Sequence, residues 1–325
     1  MIRVAMLSKW HVHAAGYAKQ FSKNPNAEIV AVWDTDAARG SAWAEELGCD
    51  FIEDLDALLA RSDIDAVAVN TETSLHPEVI IKCAKAKKHI FTEKVLAIDP
   101  ADAEAMAEAI KSSGKEFLIA YRRLTAGDIR YMKKLVDDGV IGKITHMHVR
   151  DAHDGASSDW LPASFYDLPT CGGGAMMDLG AHPMYLTLYF MGEPSTVTSV
   201  FTESWGKGVD DNCVSVLEYE DGAIAVSETG FVSKASPFSL ELNGTLGTMY
   251  LSSFTGGKIM ITGENGIQVI EPDDIPAGLP LPIDLFIECL MTNTPSPFTA
   301  DDGVKLTRLM NAAYRSADLK ETVVY

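Results

Sequence analysis

The sequence predicts an α/β protein: an N-terminal doubly wound parallel sheet, then an α+β half on a large, open, mostly antiparallel sheet. Three observations carry this. The first 121 residues alternate short continuous apolar runs with amphipathic stretches, the pattern of strands buried on both faces beneath helices. After residue 121 one helical stretch gives way to strand after strand, with turn residues between them. Finally, 325 residues at 47% apolar composition exceed the size at which single cores stop growing, about 250–300 residues. Two domains are expected, 1–121 and 122–325.

In the first half the strands are expected at residues 2–7, 28–33, 64–69, 89–92 and 117–121, with a weaker one at 49–52. Between them "AAGYAKQFSKN", "DAARGSAWAEELG", "DLDALLARSD", "PEVIIKCAKAKK" and "PADAEAMAEAIKSSGK" read as helices. In the second half "AGDIRYMKKLVDDGVIG" is a helix. It leads to the strands of "KITHMHVRD", "STVTSVFTESW", "NCVSVLEYEDGAIAVSETGFVS", "FSLELNGTLGTMYLS" and "GKIMITGENGIQVIE". The turns "YEDGAIA", "LNGTLGTMY" and "TGENGIQ" make consecutive antiparallel strands the natural arrangement. "DDGVKLTRLMNAAYRSADLK" is a closing amphipathic helix.

The balance of 27 basic against 46 acidic residues, a net charge of −19, argues against a nucleic-acid or anionic-membrane partner. Five widely spaced cysteines include no C-x-x-C pair, so they read as reduced, mostly buried thiols, and no metal is expected. The chain enters a strand at once, with no leader pattern and no run of membrane-spanning length. A soluble cytoplasmic protein is expected.

A strand running into a helix at "MIRVAMLSKWHVHAAGYAKQF" is where a dinucleotide-binding protein carries G-x-G-x-x-G. Here Ser8, Trp10 and His13 stand at those positions. A pyrophosphate needs backbone N–H groups and a helix N-terminus, and glycine only eases its approach. Ser8 offers a hydroxyl donor, and His11 or His13 an imidazole. Asp34 ends the second strand, where a carboxylate accepts from both ribose hydroxyls and repels a 2′-phosphate, favouring NAD over NADP. It has a second reading as the cap of the helix beginning near Asp36.

Two further blocks decide the context. In "DAVAVNTETSLHPEVIIKCAKAKKHIFTEKVLA" a strand ends in Asn70-Thr71, Leu75-His76 precede a helix, and Glu93-Lys94 follow a strand. In "DWLPASFYDLPTCGGGAMMDLGAHPMYLTLYFMGEP" a Trp, three glycines, D-x-x-x-H and a G-x-P exit follow in order. Together they resemble the Gfo/Idh/MocA oxidoreductases. The chain departs from that pattern at the glycine loop, at Glu72 and Val95 in place of proline, and at Tyr185 in place of an Asp.

The resemblance implies a Rossmann NAD-binding domain at 1–121 and a substrate-binding and oligomerisation domain at 122–325. It implies a hydride transfer between nicotinamide and a secondary alcohol of a sugar, sugar derivative or cyclitol. A redox-neutral epimerisation or glycoside cleavage on tightly bound NAD, and a non-catalytic sugar-sensing regulator, remain alternatives. A homodimer or homotetramer through the second sheet is implied. His182 is the expected base, with an ordinary pKa near the working range. Asp178, four residues earlier, is expected one helical turn back on the same face, binding a substrate hydroxyl or orienting the imidazole. Lys94, at the carboxyl edge of the sheet, would bind the reacting oxygen and share the proton. Asn70, Thr71, His76 and Glu93 are expected along the cofactor, with Ser8, Trp10, His11 and Asp34. Arg123 is expected at nicotinamide or substrate. Trp160 is expected on the cofactor, over the cleft, or in a core or interface. Glycines 172–174 follow no strand of the first domain, so they are read as a tight turn opening the catalytic helix.

Overall fold

The computed structural model describes residues 1–264 and 266–325, and the chain divides into two compact units, 1–120 with 280–307, and 121–279 with 308–325. In the first, β1 (Ile2–Leu7), α1 (Ala14–Lys23), β2 (Ala27–Trp33), α2 (Ala37–Leu47), β3 (Asp50–Phe51) and α3 (Leu55–Ala60) are followed by β4 (Ala66–Val69), α4 (His76–Lys85), β5 (His89–Thr92), α5 (Pro100–Ser113) and β6 (Phe117–Ile119). The sheet is parallel throughout, in the order β3-β2-β1-β4-β5-β6. Its order reverses between β1 and β4, the place where doubly wound sheets receive ligands at the strands' carboxyl ends.

The continuous apolar runs fold as strands because both faces are covered. Val4 to Leu7 and Ala66 to Val69 are wholly inaccessible, and each large side chain so buried contributes about 1.5–3 kcal/mol. Asp36, Asp54 and Asp99 cap α2, α3 and α5 by accepting from backbone N–H groups of the first turn. Gly48 and Gly114 end α2 and α5 in the left-handed conformation.

The second unit holds α6 (Arg122–Thr125), α7 (Gly127–Asp137), β7 (Ile144–Ala152), α8 (Leu168–Cys171) and α9 (Ala181–Met191). Then come β8 (Thr196–Thr202), β9 (Asn212–Glu218), β10 (Ile224–Gly230), β11 (Ser239–Gly244), β12 (Gly247–Ser252), β13 (Ile259–Gly263) and β14 (Gly266–Ile270). The sheet runs β14-β13-β12-β11-β7-β10-β9-β8, with a short final strand Val323–Val324 beside β8. Consecutive strands from β8 onward that pair do so antiparallel. β7 is inserted between β10 and β11 and runs parallel to β10. Period-2 alternation is plain: Met147, Val149, Ala225, Leu240 and Leu242 are fully buried, while Val200, Val214 and Ile224 face outward. α9 lies against β7 and β10 with most of its apolar residues buried. The turn expected in "TGENGIQ" includes Asn265, which lies outside the described residues.

Residues 280–307 group with the first unit, whereas the sequence reading placed them in the second half. α10 (Pro282–Thr292) packs against α1 and β6, with Phe286 against Phe91 at 5.9 Å and Asp284 accepting from Asn24 at 2.8 Å. The division falls within the last helix, α11 (Ala300–Leu319). All five cysteines are free thiols, four of them buried. Among the described residues no helix is long and apolar enough to cross a membrane.

Candidate active site

The turn after β1 keeps a glycine-like backbone without glycine. Ser8 has φ +71°, in the left-handed region, a conformation that costs a non-glycine residue about 1–3 kcal/mol. Local bonds hold it there. Ser8 Oγ donates to Asp34 Oδ1 (3.1 Å) and accepts from the Trp10 N–H (3.1 Å) and Arg39 Nη2 (3.2 Å). The hydroxyl is therefore committed to the Asp34 carboxylate, wholly buried, at the end of β1.

Asp34, 3% exposed, also accepts from the backbone N–H of Lys9 (2.8 Å) and of Asp36 (3.1 Å) and from Arg39 Nε (2.9 Å) and Nη2. Burial pushes its carboxyl up, but these donors outweigh it and hold Asp34 below the usual carboxylate range. The cap of α2 is Asp36, so the capping reading of Asp34 does not hold. Arg39, in the first turn of α2, was missed. Its signal was an arginine five residues past the strand-ending acid.

Asn70 and Thr71 end β4, and the Asn70 carbonyl accepts the His11 N–H (3.1 Å), fastening the turn to the neighbouring strand. Asn70 Oδ1, Thr71 Oγ1, Glu72 Oε2 and His76 Nε2 are buried with no partner of hydrogen-bond geometry. His76 Nδ1 faces two carbonyls, Val95 and Leu96, at 3.1 Å each. Carbonyls only accept, so Nδ1 carries the proton and Nε2 presents a lone pair. Burial pushes the His76 pKa down. Glu93, just past β5, is 2% exposed; its Oε1 receives Tyr17 OH and meets His13 Nδ1 at 2.8 Å, and its Oε2 accepts the Lys94 N–H at 3.0 Å. Burial pushes Glu93 up, while His11, His13 and Lys94 bring it well below the ordinary range. Lys94 is buried at the carboxyl edge of the sheet, and its peptide bond to Val95 is cis. Trp10 is half-buried, its ring 6.1 Å from that of His11.

These residues fit a dinucleotide. A buried carboxylate ends β2, a glycine-like turn opens α1, and polar atoms lacking partners cluster just past β4, all at the switch point. Bound there, NAD supplies a hydride acceptor.

In the second unit the D-x-x-x-H motif is built differently from expectation. Asp178 is not on the helix: it lies in the turn before α9, which begins at Ala181. The turn is tied from outside. Asp210 accepts from the N–H of Gly174 and of Met176 (2.8 Å each), and its carbonyl from Ala175 (2.7 Å). Tyr314 OH accepts from Met177 N–H (3.1 Å) and donates to Asp210 (2.8 Å). Within the turn the Asp178 N–H bonds to the Gly174 carbonyl (3.0 Å) and the Gly180 N–H to the Ala175 carbonyl (2.8 Å), a wider closure than an α-helix makes, and the regular helix starts only after it. The glycines were read as a tight turn; at two of them the structure shows close approach instead: a Cβ on Gly173 would lie 2.0 Å from Tyr314 OH, and one on Gly174 2.1 Å from the Asp210 carbonyl.

His182, in the first turn of α9, has Nδ1 2.7 Å from Tyr185 OH, which accepts the Arg123 N–H at 3.0 Å. Tyr185 thus occupies, with a hydroxyl, the place of the Asp noted as absent. The Arg123 guanidinium is taken up by Asp151 (2.7 Å) and lies over the Phe238 ring at 3.8 Å. Trp160 is 53% exposed, pinned through Nε1 to Asp154 (3.1 Å), with its ring 4.7 Å from His153. His153 stacks on Phe231 at 4.9 Å; burial pushes its pKa down, opposed by Asp178, Asp151 and Asp154. Sequence reasoning missed His153, Asp210 and Tyr314, whose partners are mostly remote in the chain.

Residues 11–121 match the description "Oxidoreductase family, NAD-binding Rossmann fold", and residues 129–250 match "GFO/IDH/MocA C-terminal domain". The chain belongs to the Gfo/Idh/MocA oxidoreductases. As a member it carries an NAD-binding Rossmann domain and is an oxidoreductase. It is 30% identical over 257 residues to a 2,7-anhydro-N-acetylneuraminate hydratase of Escherichia coli (strain K12), covering 77% of this chain and 68% of that one. It is 28% identical over 263 residues to a myo-inositol 2-dehydrogenase of Thermotoga maritima, covering 77% and 75%. A levoglucosan dehydrogenase solved with NADH and levoglucosan superposes with a TM-score of 0.84 at 20% identity, over 99% of each chain, which shows the shared Gfo/Idh/MocA fold.

Proposed function

We propose that this protein transfers a hydride between NAD and a secondary alcohol of a sugar, sugar derivative or cyclitol. In the oxidising direction the alcohol gives up a hydride from carbon and a proton from oxygen, leaving a ketone, NADH and one proton. His182 takes the hydroxyl proton, and Lys94 holds the reacting oxygen and shares the proton transfer. Asp178 binds a neighbouring hydroxyl. Asp34 binds the adenosine ribose, for which the Arg39 guanidinium turns aside, and Asn70, Thr71 and His76 line the cofactor. Arg123 acts by fixing Tyr185 and Asp151, and Trp160 by flanking the substrate.

The observation that carries the reading is His182 itself, at the start of α9 with Nδ1 against the Tyr185 hydroxyl. A regulator without turnover has no need of an imidazole held this way. The names of the relatives, a myo-inositol dehydrogenase among them, support the polyol class. Val200, Val214 and Ile224 on the outward face of β8 to β10 support pairing with a second copy of the chain.

The test is a dehydrogenase assay with NAD and NADP across sugars, sugar acids and inositols, run beside Lys94→Ala and His182→Ala. Each variant is expected to lose about 100-fold or more in kcat/KM, the usual reach of general acid–base groups. Unchanged activity in both would overturn the assignment. The hydratase relative favours a second, redox-neutral reading, in which bound NAD is reduced and reoxidised in one turnover. Cofactor retained through purification, with product formed and no net NADH, would select it.

A further inference from the structure

The turn that lost its glycines gathered metal ligands. One ligand atom each from His11, His13 and Glu93 lies within 4.8 Å of the others. His13 Nδ1 and His11 Nδ1 stand 2.8 and 3.7 Å from the same oxygen, Glu93 Oε1, and the two rings meet edge to face at 4.8 Å. We infer that His11, His13 and Glu93 form a divalent transition-metal site in the turn that opens α1.

The backbone prearranges this set. The His11 N–H is bonded to the Asn70 carbonyl, and the His13 N–H donates to His11 Nδ1 at 3.2 Å. That bond marks Nδ1 as the unprotonated nitrogen of His11, and an ion bound there takes over the lone pair that the His13 N–H now occupies. Glu93 is held by the end of β5 and by the Lys94 N–H on Oε2, and its other oxygen, which also receives Tyr17 OH, faces both imidazoles. Three ligands at about 2.0–2.2 Å from one ion stand roughly 3.4 Å apart in tetrahedral geometry. The separations of 2.8 and 3.7 Å bracket that value. His13 can supply the remaining adjustment, because its side chain is 45% exposed while those of His11 and Glu93 are 6% and 2% exposed. Further coordination positions then open on the exposed side of His13.

The donor set selects the ion. Two imidazoles and a carboxylate, with no thiolate, suit Zn²⁺, Co²⁺ or Ni²⁺. Mg²⁺ demands oxygen ligands in octahedral geometry, so two imidazoles disfavour it. This pattern escapes a sequence reading because H-x-H is short and its third ligand is 80 residues away.

The test uses the full-length, tag-free, cofactor-stripped protein titrated with Co²⁺ and followed by its visible absorption, with Zn²⁺ as competitor and Mg²⁺ as control. One Co²⁺ per chain is expected, displaced by Zn²⁺, unaffected by Mg²⁺, and without thiolate charge-transfer bands. His13→Ala, at a half-exposed position, and Glu93→Gln are each expected to weaken Co²⁺ binding by about tenfold or more. Cys49→Ser, at the least buried thiol, is expected to leave it unchanged. A urea melt confirms that each variant is folded. Absence of stoichiometric binding, thiolate bands, or binding retained in His13→Ala would overturn the site.

Discussion

Two turns, one in each unit, prepare their polar groups in opposite ways. At the edge of the parallel sheet, Asn70 Oδ1, Thr71 Oγ1, Glu72 Oε2 and His76 Nε2 are buried and have no hydrogen-bond partner among the described residues. At the turn before α9, the N–H groups of residues 174 to 177 all end on Asp210 or Tyr314. Leaving buried polar groups unmatched costs about 1–3 kcal/mol each, and a fold bears that cost where a ligand will match them. Satisfying every group does the reverse, fixing a turn so that the side chains after it have one position. The difference teaches that the first edge is built to receive and the second to hold still.

The largest way to break this contrast is Asp210→Ala. It strips the side-chain acceptor from two backbone N–H groups and from Tyr314 OH. Several unmet buried donors should cost about 3–5 kcal/mol together, read in a urea melt. The surviving folded fraction should show reduced kcat, because Asp178 and His182 follow the freed turn. A loss below about 1 kcal/mol would mean that the turn is held by packing instead.

How much of this was legible in the sequence follows from how local each cause is. Continuous apolar runs located β1, β4 and β5 because burial on both faces leaves a mark in every residue. Lys94 and Asp34 could be placed because strand ends are local events. The return of residues 280–307 to the first unit left no such mark, since α10 is simply apolar and its destination is set by what it packs against. The parallel insertion of β7 beside β10 was equally silent. Asp178 was misplaced because D-x-x-x-H has helical spacing, while the bonds that tie down the turn holding it come from Asp210, more than 30 residues on. Ser8 looked like a phosphate donor until Asp34 and Arg39 were seen to engage its hydroxyl.

A smaller effect sharpens the first side of the contrast. Thr71→Val keeps the shape and removes a buried hydroxyl that has no partner among the described residues. Folding stability should stay the same or rise by up to about 1 kcal/mol. NAD affinity should fall roughly five- to tenfold, the value of one neutral hydrogen bond. Equal NAD affinity in isothermal titration would remove Thr71 from the cofactor contacts. A marked loss of stability would show that the hydroxyl already has a structural partner.

The smallest expected effect compares one buried histidine from each unit. Burial pushes both His76 and His153 below the ordinary imidazole value. A group with its folded pKa depressed is neutral in the native state at a pH where the unfolded chain binds a proton. Between the two values the unfolded state therefore holds more protons, and stability rises with pH. The stabilisation is complete above about pH 6.5, the unfolded value, and is lost as pH falls through it towards the folded one. His76 is 1% exposed, its burial opposed by the Leu96 and Val95 carbonyls and by Glu93, whereas His153 is only half-buried and has Asp178, Asp151 and Asp154 to offset that burial. His76 should accordingly carry more of the slope. Urea melts in small pH steps below pH 7 should show a shallower pH dependence for His76→Asn than for His153→Asn. The reverse order would mean that the three carboxylates do less for His153 than the Val95 and Leu96 carbonyls do for His76.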